Sequence, residues 1–132
     1  MRIYLTHCSF TKDTSLKDTG KNVTPDVLYT SQHIQRFINR CKEKNVEWAI
    51  FSDLHDVWFP SEKHAWYEKD PAKVTEEEFQ HLLENFDRKL QKYDEIYFYH
   101  NPGRFHRLYK FLIEKSSLHN RIHLISHLSE IR

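Results

Sequence analysis

The sequence predicts an α/β domain, a three-layer α/β/α sandwich around a four-stranded parallel sheet. Three observations predict it. Stretches rich in β-branched and aromatic residues alternate with amphipathic helical ones, helix-to-strand connections are short, and strand-to-helix connections are long. Such alternation implies parallel pairing through right-handed crossovers.

Strands are expected over 2–6, 47–52, 95–99 and 121–125. The first helix is marked by Ile34, Phe37, Ile38 and Cys41, spaced to share one helical face. The second carries Phe79, Leu82, Leu83, Phe86 and Leu90. It opens on Thr75 with Glu78 three residues on, a capping box, and Glu76 and Glu77 suit the positive end of the helix dipole. The third carries Phe105, Leu108, Tyr109 and Leu112 after the turn Asn101-Pro102-Gly103. The 132 residues fit one α/β domain over 1–132, with no repeat and no linker.

Composition narrows the function classes. With 20 basic and 19 acidic residues the formal net charge is +1, so no bulk basic footprint drives nucleic-acid binding, although a local patch stays open. Only Gly20 and Gly103 are present, which excludes glycine-rich phosphate loops. No apolar run reaches membrane-spanning length, and Met1-Arg2-Ile3-Tyr4-Leu5 is too short in its apolar part for a signal peptide. The expectation is a cytoplasmic protein without a membrane partner, its Cys8 and Cys41 reduced thiols.

The connections point to a site. Lys44-Asn45 and Tyr93-Asp94 suffice between helix and strand, whereas the loops 7–27 and 53–74 are unusually long for structureless connections. Both leave the carboxyl edge of the sheet, where open α/β sheets bind ligands. Strand ends deliver His7, Asp53, His55, Asp56, His100 and His127 there. Imidazole and carboxylate suit proton transfer, which makes Asp53, His55, Asp56, His100 and His127 the candidate catalytic set. His7, Cys8, Ser9, Lys12, Tyr29, Ser52, Trp58, Asn101 and Arg104 are the candidate ligand-binding set. The aromatics of the second loop, Trp58, Phe59, Trp66 and Tyr67, either stack on a ring or, more often for such loops, fold it down as a small core. Cys8 as a nucleophile, with His7 or His100 as base, is a minor reading because lone cysteines are usually inert. His7, Asp53, His55 and His100 are the candidate metal ligands; no cofactor is dictated, and a divalent cation is the one these groups would take.

Two resemblances follow from particular residues. Ile50-Phe51-Ser52-Asp53-Leu54-His55-Asp56 resembles the opening Asp-x-His motif of calcineurin-like metallophosphoesterases; that likeness implies Asp53 and His55 as metal ligands. The later Gly-Asp and Gly-Asn-His-Asp motifs of that family are missing.

Cys8-Ser9, Leu28-Tyr29-Thr30-Ser31, Ser52 and the aromatic-proline loop of Trp58-Phe59-Pro60 with Trp66-Tyr67 cover more of the chain. They look like a family of small prokaryotic domains similar to the uracil-DNA-glycosylase-like domain of archaeosine synthase. This likeness spans roughly residues 3 to 115 at the level of pattern. It implies a four-stranded parallel sheet between helices and a nucleobase- or nucleotide-sized pocket. The catalytic segments of true uracil glycosylases are absent, so uracil excision is not implied.

Three readings result. The first is a nucleotide-, nucleobase- or nucleic-acid-binding domain, an enzyme of N-glycosidic or tRNA-modification type acting at the carboxyl edge. The second is a metal-dependent phosphoesterase. The third is a non-catalytic module that binds a partner protein.

Overall fold

A computed structural model describes residues 1–100 and 105–132. In chain order the elements are β1 (Arg2–His7), α1 (Pro25–Leu28), α2 (Gln32–Lys44), β2 (Trp48–Ser52), β3 (Asp56–Trp58), α3 (Glu76–Leu90), β4 (Glu95–Tyr99), α4 (Arg107–Lys115) and β5 (Ile122–Ile125). They form one mixed sheet of order β3-β2-β1-β4-β5. The α/β class and all four expected strands are present.

The strand count needs correction. The sheet has five strands among the described residues, because β3 pairs antiparallel with β2 at one edge (Ile50 with Trp58, Ser52 with Asp56). The sequence reads that segment as loop, since it runs for only three paired residues. Its turn is held by a side chain: the Ser52 hydroxyl accepts hydrogen bonds from the Leu54 and His55 amides. Asp56 then takes a left-handed φ of 54°, which an aspartate tolerates better than most residues. The short α1 is a second element inside what reads as loop.

β1 and β2 are buried almost completely, as their apolar runs require, whereas β4 is buried at alternate residues and the edge strand β5 at Ile125 alone. Phe51 of β2 meets Phe86 of α3 and Tyr109 of α4 edge-on, with centroids 5.8 and 6.1 Å away. Tyr99 of β4 instead stacks on Phe37 of α2. Thus α2 covers one face of the sheet while α3 and α4 cover the other, as right-handed crossovers in this strand order demand.

The start of α3 falls where the sequence places it, whereas α4 begins at Arg107, beyond the Asn101-Pro102-Gly103 turn read as its opening, which lies outside the described residues. Ser31 caps α2 through the Ile34 amide, and Asn45 closes it in the left-handed conformation (φ 53°). Thr75 and Glu78 form the reciprocal capping box of α3. No described helix is long and apolar enough to cross a membrane.

Candidate functional site

β1 lies between β2 and β4, where the chain reverses its direction of travel across the sheet. That reversal leaves a crevice at the carboxyl ends of these strands. A cavity of about 290 Å³ opens there, walled in part by His7, Cys8, Ser9, Lys12, Asp53 and Tyr109. His33 from α2, Lys69 from the second loop and His106 from the start of α4 also line it.

The two loops that bound this edge are bonded to each other. Val23 and His64 exchange backbone hydrogen bonds at 2.9 Å. The hydroxyls of Tyr29 and Tyr67 meet within hydrogen-bond distance, and that of Tyr67 continues to Ser52 Oγ at 2.9 Å. Tyr29, Ser52 and Trp58 are fully buried behind the cavity. They tie the loops together and are not among the residues that line the cavity. Trp58 donates its indole N–H to the Glu62 carbonyl, and the aromatic insert is a small core.

Asp53 stands at the centre of the cavity's chemistry. It follows β2 directly, is only 3% exposed, and its Oδ1 has no hydrogen-bond partner. Burial lifts its carboxyl to about 6, against the opposing influence of the Cys8 thiol, the Lys12 ammonium and its own backbone. Lys12 is itself buried; its Nζ lies over the Tyr67 ring, 4.6 Å from the centroid. Burial lowers the Lys12 amine, with Cys8, Asp53 and Glu68 countering.

Cys8 is held against Asp53 and reaches the Tyr109 hydroxyl at 3.4 Å. Burial, and then the Asp53 charge, push its thiol up to about 11. A thiol so disposed stays protonated at neutral pH and is a poor nucleophile.

His7 is 6% exposed, and its ring lies between those of His33 and Tyr109 at 5.2 and 4.9 Å. Its Nδ1 is 3.0 Å from the Cys8 carbonyl oxygen. A carbonyl only accepts, so Nδ1 carries the proton and Nε2 presents a lone pair. That Nε2 is buried without a partner. Burial keeps the ring neutral by lowering its basicity, the Cys8 carbonyl opposing and His100 adding to the effect.

Other expected residues lie elsewhere. Asp56 turns away from the cavity to α3, where Lys89 Nζ meets its Oδ1 at 2.5 Å and Asn85 donates to Oδ2 at 3.0 Å. His55 stacks on His64 and packs edge-on against Trp58 and Tyr67. His127 is exposed and precedes the last turn, beyond the edge strand β5. His100 packs on Phe105 and does not line the cavity. Asn101 and Arg104 lie outside the described residues.

The expected metal set is therefore not assembled. Among the described residues, no three histidine, cysteine, aspartate or glutamate side chains form a group able to hold a metal ion. His7 and Asp53 line the cavity, whereas His55 belongs to the aromatic stack of the second loop. The residues present do not fit the two-metal arrangement that the Asp-x-His likeness implies.

Sequence reasoning missed His33, Lys69, His106 and Tyr109. His33 and Tyr109 sit near the start of helices that follow parallel strands, a position that always faces the carboxyl edge. Lys69 carried no comparable signal. His106 caps α4, its Nδ1 accepting the Leu108 amide at 3.0 Å.

Comparison with protein-family models, curated proteins and solved structures finds no match to this chain.

Proposed function

We propose that this domain binds a nucleobase-bearing ligand in the carboxyl-edge cavity and processes it with Asp53 as the acid–base group. The observation that carries this reading is the Asp53 carboxyl, buried with a free oxygen beside Lys12 and raised to about 6. A carboxyl titrating that close to neutrality both accepts and returns a proton, as general acid–base catalysis needs. The cavity lies at the small end of the usual ligand-pocket range, a size suited to one base. The aromatic side chains of His7 and Tyr109 form part of its wall.

The reaction this favours is transfer at an N-glycosidic bond, of the kind used in base excision or tRNA modification. Ionised Asp53 takes a proton from water as its oxygen bonds the anomeric carbon. The carbon–nitrogen bond breaks, its electron pair leaves with the base, and Lys12 steadies the charge gathering there. The proton held on Asp53 then neutralises the departing base. A glycosylase-like relationship of the fold belongs to the same proposal.

Thermal-shift and calorimetric titrations with nucleosides, nucleotides and bulk tRNA test the reading. Saturable binding by at least one of them, lost in Lys12→Met, is expected. Silence from all three classes overturns it.

A further inference from the structure

We infer that the cavity selects a ligand through a neutral amino group conjugated to a ring, and that His7 Nε2 and Asp53 Oδ1 are the two acceptors that read it. The inference rests on the nucleobase reading above and specifies which bases fit. It starts from an imbalance. His7 and Asp53 are only 6% and 3% exposed. Each keeps a hydrogen-bonding atom without a partner, and both line one cavity. Buried polar groups in folded proteins are nearly always satisfied, so two orphans in one pocket call for a common explanation.

Both orphans are acceptors. The Cys8 carbonyl fixes the His7 proton on Nδ1, leaving Nε2 a lone pair. Asp53, once ionised, only accepts. A ligand that completes them must therefore bring N–H or O–H donors, and a ring carbonyl in the same place would set lone pair against lone pair. An exocyclic amine supplies two donors on one nitrogen, whose own lone pair is drawn into the ring and does not compete.

The donor is neutral rather than an ammonium. Lys12 stands in the same cavity and contributes a positive charge felt by Asp53. A second cation there meets that charge at close range in a poorly solvated space. Neutral His7 offers a cation no compensating charge. Amino-substituted rings remain: cytosine, adenine and guanine types, as against their oxo counterparts.

Paired nucleosides in which the exocyclic amine is replaced by oxo, with the adjoining ring nitrogen gaining a hydrogen, test this: cytidine with uridine, adenosine with inosine, guanosine with xanthosine. In calorimetric titration of the full chain at pH 7.5, the amino member of whichever pair binds is expected to be tighter by roughly tenfold or more, the scale of one hydrogen bond to a charged group. Asp53→Asn presents an amide that can donate, and is expected to shrink or reverse that ratio. His7→Phe keeps the stacked ring, removes the acceptor, and is expected to reduce it. Should either variant unfold, the wild-type ratio still decides. Equal or tighter binding of the oxo member overturns this inference and leaves the nucleobase reading standing. Free ribose competing as well as a nucleoside assigns the donors to hydroxyls and overturns it too. If no nucleoside binds, both fall together.

Discussion

The His55 imidazole lies face to face on that of His64, with centroids 3.8 Å apart and planes within 6°. Burial, then the nearness of His64, hold His55 down at about 4; Asp56 pulls the other way and Lys89 adds to the fall. Two stacked rings cannot both be charged without repulsion, and Trp58 and Tyr67 enclose His55 on other sides. Glu62 lies 3.7 Å from His64.

The sign follows from linkage. Between pH 4 and 6.5 the unfolded chain protonates His55 and the folded chain does not, so stability falls as the pH drops through that window. The contribution lost is about 3 kcal/mol in full. Urea melts of His55→Phe between pH 7 and 4.5 are expected to show a shallower acid loss than the parent. An unchanged slope would place the acid sensitivity elsewhere.

Asp53 runs in the opposite direction. Its folded carboxyl, at about 6, holds a proton that the unfolded one, near 3.8, releases. Stability from this group is therefore present at low pH and declines as the pH rises from about 4 through 6. Asp53→Asn removes a buried charge whose desolvation outweighs the support of Lys12 and Cys8, and is expected to stabilise the protein at pH 7.5 by about 1–3 kcal/mol while abolishing any activity. Chemical denaturation at pH 7.5 and 4.5 checks it; a variant less stable than the parent at pH 7.5 contradicts this account.

Asp56, three residues on, behaves as a structural group. Lys89→Met leaves its carboxylate buried beside α3 without its cation and is expected to cost about 3 kcal/mol, since breaking one partner of a buried pair strands the other. Calorimetry on Lys89→Met measures this, and ligand affinity in the surviving folded protein is expected to stay unchanged.

Most of the scaffold was legible in the sequence, and the reasons differ by element. Trp48 to Ser52 and Glu95 to Tyr99 declare themselves by β-branched and aromatic content. Thr75 and Glu78 announce the start of α3 through chemistry local to four residues. The hairpin strand β3 was hidden because its turn depends on the Ser52 hydroxyl and on a left-handed Asp56, neither of which leaves a periodic trace.

For the site, position along a strand was readable but direction was not. Asp53 and Asp56 look equivalent in a string of letters. The hairpin sends one into the cavity and the other to Lys89, which lies 33 residues further along. His127 was expected at the edge because it follows a strand. That strand is outermost, whereas the cavity stands over the ends of β1 and β2.

Removing the cap of α3 separates local from tertiary stability. Thr75→Ala loses the hydroxyl that accepts the Glu78 amide at 3.1 Å, and is expected to cost about 1 kcal/mol. For a domain of this size that corresponds to a fall in Tm of about 3–5 °C, read by scanning calorimetry. The Thr75→Ser variant, which keeps the hydroxyl, is expected to retain most of the difference.

The central place of β1 has a bearing on how the molecule is made. Its Arg2 to Thr6 stretch lies beside Glu95 to Tyr99, and the Asp94 amide bonds the Met1 carbonyl. β1 is thus flanked on that side only once the chain has been made as far as β4, nearly a hundred residues later. Pairings of such long sequence separation form slowly. Until β4 arrives, Ile3, Tyr4 and Leu5 present a bare, apolar edge able to template pairing with a neighbouring chain. The same geometry that puts the cavity over the middle of the sheet leaves the growing polypeptide dependent on reaching residue 99 before it meets another copy of itself.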